Sequence, residues 1–178
     1  MNSPTVAVLV PCYNEATTIK RLILELKRCL PDATPYVCDN NSTDGTALEA
    51  REAGAIVISE KLQGKGHAVR RLFSDVDADI YVLIDGDCTY DITAAPKLIK
   101  TLTQQQLDMV VGVRRTPADV NPFPPGHQIG NRLLTGFLKL LFGTGFTDIL
   151  SGYRVFSKRF VKSFPALAIG FETETELS

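Results

Sequence analysis

Ile80-Tyr81-Val82-Leu83-Ile84-Asp85-Gly86-Asp87 is an apolar run of strand length that ends in two carboxylates one residue apart. A continuous apolar run of this size suits a strand covered on both faces, the habit of parallel sheets. In an open parallel sheet, ligands bind beyond the carboxyl ends of the strands. Positions i and i+2 of an extended chain share a side, so Asp85 and Asp87 are expected to point the same way. Gly86 lets backbone approach a ligand closely. Two aligned carboxylates suit a hard divalent cation, which can in turn hold a diphosphate. Taken alone, Asp-Gly-Asp also makes an ordinary polar turn, so the flanking sequence has to decide.

Outward from this run, strand-like and helix-like segments alternate. Val6 to Val10 is apolar and stopped by Pro11, and Ala16 to Leu30 carries Ile19, Leu22, Ile23, Leu26 and Leu30 at helical spacing before Pro31. Tyr36 to Cys38 reads as a second strand. Asp44 reads as the N-cap of a helix reaching Ala53, with Gly54 as its stop. Ala55 to Ile58 reads as strand, Gly66 to Ser74 as helix, Thr93 to Leu102 as helix and Met109 to Val113 as a further buried strand. Such alternation predicts an α/β fold, a mostly parallel central sheet with helices on both faces. The Pro-rich stretch Thr116 to Gly126 reads as a loop suited to a flap. Ile129 to Phe142 is strongly apolar, with Arg132 and Lys139 as its charges. It suits a core helix over the sheet or a surface laid against a membrane.

The 178 residues suffice for one domain with a substantial core. A net charge of −1 removes the broad electrostatic case for nucleic-acid binding. The four cysteines, Cys12, Cys29, Cys38 and Cys88, have no C-x-x-C spacing, so neither a zinc site nor a disulfide framework is suggested. They read as reduced thiols of a cytoplasmic protein. Signal-peptide features are absent, and no apolar segment reaches the ~20 residues that span a bilayer. The ending Phe171 to Ser178 shows no evident stop, and the expectation is a chain truncated at its C-terminus.

Four polar segments fall where the expected strands end: Pro11-Cys12-Tyr13-Asn14-Glu15, Asp39-Asn40-Asn41-Ser42-Thr43-Asp44-Gly45-Thr46, Gly64-Lys65-Gly66-His67-Ala68 and Asp85-Gly86-Asp87. Glu15 and Asp39 are placed to accept hydrogen bonds from a ribose or base, or to cap and turn the chain. Gly64-Lys65-Gly66 is not a P-loop, since Lys65 is followed by Gly rather than Ser or Thr. Its glycines still let backbone N–H groups approach an anion at a helix start, with Lys65 a nucleotide contact or a surface residue. His67 reads as a loop or packing residue, with no second ligand at metal spacing.

In this order the segments resemble the family 2 glycosyltransferases of the GT-A fold, which typically carry P-x-Y-N-E, V-D-D-G-S-x-D-G-T, G-K-G-x-A and D-x-D. Thr147-Asp148-Ile149-Leu150-Ser151-Gly152-Tyr153-Arg154 is similar to the T-D-x-x-S-G-[FY]-R segment of the polyprenyl-phosphate branch, which includes dolichyl-phosphate mannose synthase. The resemblance implies one GT-A domain, a Rossmann-like three-layer sandwich over 1–178. About 1–113 would bind the nucleotide sugar and about 114–178 the acceptor. It implies Pro11, Tyr13, Asn14, Glu15, Asp39, Asn41, Lys65, Asp85, Gly86 and Asp87 around the donor. Asp87 would be the direct ligand of Mg²⁺ or Mn²⁺, and Asp85 a ribose or water-mediated contact, or the reverse. Gln128 would complete the metal shell. Asn40 and Asn41 depart from the family's Asp and Gly, so base preference does not carry over.

Arg114, Arg132 and Arg154 would hold acceptor or phosphate, since guanidinium groups match phosphate geometry. Arg115 is an additional cation beside Arg114. Asp87, Asp148 and Arg154 are the catalytic candidates. Asp148 would act as a base, orient acceptor or sugar, or cap its turn, because a polyprenyl phosphate is already anionic and needs no strong base. The implied reaction is metal-dependent, inverting transfer of a hexose from a nucleotide diphosphate sugar to polyprenyl phosphate. A peripheral enzyme at the cytoplasmic membrane face would perform it, and a homo-oligomer is compatible with the sequence. Two alternatives stand beside it: transfer to a saccharide hydroxyl in polysaccharide or cell-wall synthesis, and a nucleotide-sugar-binding module without activity. A sugar-1-phosphate nucleotidyltransferase would need a G-x-G-T-R loop that Pro11 to Glu15 does not supply.

Overall fold

A computed structural model describes residues 3–112 and 151–163. The elements follow in the order β1 (Val6–Cys12), α1 (Ile19–Cys29), β2 (Thr34–Asp39), α2 (Thr46–Glu52), β3 (Ile56–Ser59), α3 (Lys65–Asp75), β4 (Ile80–Leu83), a 3₁₀ turn (Ile92–Ala94), α4 (Ala95–Gln104), β5 (Met109–Val111), β6 (Arg154–Ser157) and α5 (Lys158–Ser163). They build one six-stranded sheet of order β3-β2-β1-β4-β6-β5. The pairs β3–β2, β2–β1 and β1–β4 are parallel, and β6 runs antiparallel to both β4 and β5. The α/β class and the mostly parallel sheet expected from the apolar runs are what the chain forms.

Both faces are covered because side chains alternate along each strand. Val8, Val10, Val82, Ile84 and Val155 pack with Leu22, Ile23 and Leu26 of α1, Ala50 of α2 and Leu102 of α4. Ala7, Leu9, Tyr81, Leu83 and Phe156 face the other way, against Val69, Leu72 and Phe73 of α3 and Val161 of α5. Phe73 meets Phe156 edge to face at 5.7 Å. The central strands β1 and β4 are buried on both faces almost throughout, so they must be apolar. Polar chemistry is therefore confined to the strand ends.

Element ends differ from the expectations for local reasons. β1 continues through Pro11 to Cys12. The Leu9 carbonyl accepts from Ile84 N at 3.0 Å, so that edge of β1 faces β4. Pro11, two residues on, faces the same edge after β4 has ended at Leu83, where no donor is required. Gly45, at φ +89°, rather than Asp44 is the residue preceding α2, and Asp44 caps from one residue further back, its Oδ1 accepting from Thr46 N at 3.0 Å. Gly54 (φ +84°) ends α2, and Lys27 Nζ fills the space a Cβ would occupy while donating to the Ala53 carbonyl at 2.8 Å. β6 and α5 were not expected, because Arg154 opens the strand with a charge and α5 is short. Among the described residues, no helix is long and apolar enough to cross a membrane.

Candidate functional site

The sheet order reverses direction between β1 and β4. β1 is followed outward by β2 and β3, whereas β4 lies on its other side. That crevice is the switch point at which open α/β sheets bind ligands. Four loops open at this edge, after β1, β2, β3 and β4. β6 is antiparallel and starts here, since Arg154 pairs with Leu83. Topology thus gathers the four polar segments and the Ser151–Arg154 turn, although 141 residues lie between Cys12 and Arg154.

The β1 and β2 loops are tied together by side chains. Asn14, at φ +56°, accepts from Thr43 N through Oδ1 at 2.9 Å, and its own N–H donates to Ser42 Oγ at 3.0 Å. Glu15 N donates to the hydroxyl of the buried Thr46 at 2.8 Å, and Ala16 N to Asp44 Oδ2 at 3.0 Å. Asp44 is held below the usual carboxylate range, first by the Thr46 hydroxyl and then by the Ala16 and Thr46 amides. The Glu15 carboxylate accepts from Thr18 Oγ1 at 2.8 Å. Tyr13 is half exposed at the lip.

Acidic groups converge on Cys12. Burial pushes its thiol well up, and the charges of Glu15, Asp39 and Asp85 add to this. Gly86 packs on the same thiol: a Cβ there would lie 2.9 Å from Cys12 Sγ and 3.2 Å from Glu15 Cγ. Asp39 Oδ1 is buried and, among the described residues, has no hydrogen-bond partner. An orphaned carboxylate oxygen in a cleft is a place for a ligand's donor.

Asp85 and Asp87 do not lie on extended chain. β4 ends at Leu83, and Gly86 and Asp87 form a turn in which Cys88 takes φ +57°. The expectation of two side chains aligned by strand geometry is corrected accordingly. Asp85 forms an ion pair with Lys65, Nζ to Oδ1 2.7 Å, the two side chains 15% and 17% exposed. Asp87 Oδ1 accepts from Thr89 N at 3.1 Å and Thr89 Oγ1 at 2.7 Å. Both carboxylates nonetheless follow the same strand end, β4 having closed at Leu83.

The Ser151–Arg154 turn forms the wall beside them, a contact the sequence reading missed. A Cβ on Gly152 would overlap the Asp85 carboxylate, 2.6 Å from Cγ and 2.7 Å from Oδ1. Gly152 N donates to Tyr90 Oη at 2.6 Å, and Ser151 Oγ bonds the Gly112 carbonyl at 2.5 Å. Tyr90 and Tyr153 rings pack at 5.6 Å. Arg154 is 1% exposed and its Nε donates to the Ser151 carbonyl at 2.9 Å, which ties that edge of the guanidinium to the turn. Arg114, Arg115, Arg132, Gln128 and Asp148 lie outside the described residues, as do the flap and the Ile129–Phe142 stretch.

No group of three or more His, Cys, Asp or Glu suited to a metal occurs among the described residues. A donor-bound Mg²⁺ or Mn²⁺ does not require one. Such ions are held by one or two carboxylates, with substrate phosphates and water completing the shell. Asp85 and Asp87 fit that donor set.

Comparison with known proteins agrees with this fold. The sequence model described as "Glycosyl transferase family 2" matches residues 7–164. Protein RfbJ of Shigella flexneri is 53% identical over 127 residues, covering 71% of this chain and 98% of that protein. Glycosyltransferase AglJ of Haloferax volcanii is 37% identical over 174 residues, 97% of this chain and 57% of the relative. A dolichyl-phosphate hexose transferase of the same organism is 30% identical over 152 residues, 85% of this chain and 66% of the relative. The crystal structure of Mycobacterium tuberculosis glucosyl-3-phosphoglycerate synthase with Mn²⁺, UDP-glucose and phosphoglyceric acid superposes with a TM-score of 0.76 at 27% identity, covering 97% of this chain and 63% of that one. The chain thus spans just over half the length of AglJ and under two thirds of the synthase.

Proposed function

This chain belongs to glycosyl transferase family 2, and from that premise we propose that it moves a hexose from a nucleotide diphosphate sugar to polyprenyl phosphate with inversion. An acceptor phosphate oxygen bonds to the anomeric carbon as the bond from that carbon to the diphosphate oxygen breaks. The observation that carries the donor side is Asp85, presented at the switch point by β4, paired with Lys65 and walled by Gly152. Glu15, Asp39 and Asn14 line the nucleoside side with Pro11 and Tyr13, while Lys65, Asp85, Gly86 and Asp87 lie toward the diphosphate. Asp87 and Asp85 would hold Mg²⁺ or Mn²⁺, completed by Gln128, and the ion would neutralise charge on the departing diphosphate. The chain's own task is to hold donor and acceptor at attack distance in a site prepared for that charge.

The acceptor side is assigned to about 114–178, with Arg114 and Arg132 for phosphate and Asp148 for orientation. Two features support polyprenyl phosphate: the Thr147-to-Arg154 segment and the similarity to a dolichyl-phosphate hexose transferase. The enzyme would then work at the cytoplasmic membrane face. A second reading, transfer to a hydroxyl, is favoured by the neighbour that holds UDP-glucose with phosphoglyceric acid. It would require Asp148 as a base.

The test is a thermal-shift screen of UDP-glucose, UDP-GlcNAc and GDP-mannose with and without Mn²⁺. A ligand at about 100 times its Kd adds about 2.7 kcal/mol to native stability, a rise of roughly 5–10 °C for a chain of this size. A metal-dependent rise with one donor supports the site and names the donor. No rise with any donor overturns the reading. Given a donor, radiolabel transfer to a polyprenyl phosphate or to a water-soluble acceptor separates the two acceptor readings.

A further inference from the structure

Asn40 and Asn41 follow β2 at a place where an amide does what a carboxylate cannot. Asn40 is 3% exposed, and all its side-chain valences point at one loop. Its Nδ2 donates to the carbonyls of Glu60 at 3.0 Å and Leu62 at 2.7 Å, and its Oδ1 accepts from Gly64 N at 2.7 Å. Asn41, at φ +64°, donates through Nδ2 to the Lys61 carbonyl at 2.5 Å. Two adjacent side chains therefore take three successive carbonyls, 60 to 62, and the N–H of Gly64. Main-chain bonds anchor the pair from behind: Asn40 N donates to the Cys12 carbonyl at 2.9 Å, and Glu60 N to the Asp39 carbonyl at 3.0 Å.

The loop so held has no core of its own. Lys61, Leu62 and Gln63 are exposed, and Leu62 is 61% exposed. It nevertheless leads straight into Lys65, whose ammonium reaches Asp85 at 2.7 Å. A carboxylate at position 40 could accept from Gly64 but would face two carbonyl oxygens, and a glycine at position 41 offers no side-chain donor. We propose that Asn40 and Asn41 are positioning residues that hold the loop before α3 in its binding form without ligand, so that Lys65 meets the donor nucleotide with no ordering step. The inference rests on the reading of this edge as the donor site. It gives the departure from Asp-Gly at these positions a physical reason: the loop's fixed shape is written into side-chain donors. Ordering done in folding need not be done again in binding.

The experiment compares wild type with Asn40→Asp and Asn41→Gly. Amide hydrogen exchange over residues 60–66 is measured without ligand, affinity for UDP and for GDP with Mn²⁺ by calorimetry, and melting temperature alongside. Asn40→Asp, which turns two donated bonds into repulsion from the Glu60 and Leu62 carbonyls, is expected to speed amide exchange across residues 60–66 at least tenfold and to weaken nucleotide binding about tenfold, with a smaller loss for Asn41→Gly. A merely structural role would lower the melting temperature and leave the affinity of the folded protein unchanged. Should Asn40→Asp fail to fold, Asn41→Gly, at an exposed position, decides the question. Wild type that binds while both variants bind equally well overturns the clamp alone. Wild type that binds neither nucleotide overturns the donor-site reading and this inference with it.

Discussion

Replacing Gly152 by alanine places a methyl on the Asp85 carboxylate. The added carbon would overlap Asp85 Oδ2, its nearest neighbour, and stand 2.6 Å from Cγ, so the carboxylate must retreat by at least about 0.8 Å to reach the 3.4 Å of ordinary contact. Asp85 is the group with room to yield, since the Gly152 amide is held by Tyr90 Oη at 2.6 Å. A retreat of at least that size works against the 2.7 Å Lys65 ion pair, which ceases to be a useful contact by about 3.5 Å. Overpacking of this kind costs about 1–3 kcal/mol. Urea unfolding would show it as a lower midpoint at unchanged slope. The same change in an Asp85→Ala background meets no carboxylate and should cost under about 0.5 kcal/mol. The cycle then gives a coupling of about 1.5 kcal/mol, in which the separate cost of stranding Lys65 cancels. Metal-dependent nucleotide affinity should fall with Gly152→Ala, because the carboxylate is displaced. Additive effects of the two substitutions would refute the contact between wall and carboxylate.

Thr46→Val should cost about 1–3 kcal/mol in urea unfolding, since it strands the Glu15 N–H that now meets the buried Thr46 hydroxyl. Asp87→Ala should leave the melting temperature within a few degrees and abolish Mn²⁺-dependent nucleotide binding by calorimetry; unchanged affinity removes Asp87 from the metal site. Asp44, Asp79 and Asp108 are all held below 3.8, by the Thr46 hydroxyl, the Thr5 backbone amide and the Arg159 guanidinium respectively. Their stabilisation is present above pH 3.8 and is lost as pH falls below it through their lower native values, so the melting temperature should fall there, by a modest amount because solvent screens all three carboxylates. The native protein at pH 8 should react with a thiol reagent at Cys29 and Cys88 only. Cys12 and Cys38 are buried, and burial first of all pushes Cys38 up to about 12.

The parallel part of the sheet was legible because its strands are apolar on both faces and its helices carry a clear period. Ile19, Leu22, Ile23 and Leu26 were expected on one face of a helix, and all are buried on α1. The candidate donor residues were legible because a parallel sheet forces strand C-termini to one edge. What escaped was whatever depends on contacts far apart in sequence. Arg154–Ser157 is a strand because Leu83 and Val111 flank Arg154, and no local propensity announces that. Asp85 and Asp87 were read on extended chain, but Thr89 captures Asp87 and turns the backbone at Gly86. Asn40 reads as a loop residue in sequence. Its burial follows from a loop 20 residues away closing over it.

The electrostatics of the edge follow from the same topology. Glu15, Asp39 and Asp85 come from the ends of three different strands, and all raise the Cys12 thiol between them. Like charges brought this close are unfavourable, and folding alone offers no reason to gather them. Lys65, delivered by the clamped loop, supplies a compensating positive charge at Asp85. A lysine ammonium is a compact point charge on a flexible stem, able to leave a carboxylate for a phosphate. The site is thus poised between two pairings. Without ligand, Lys65 offsets the acidic edge. On the proposed donor reading, Asp85 and Asp87 would hold the divalent ion that accompanies a diphosphate, and Lys65 would then be available to the phosphate oxygens. A fold that needed only stability would place an apolar pair at this edge, so the acidic cluster and its movable counter-charge argue for a site built to exchange cations.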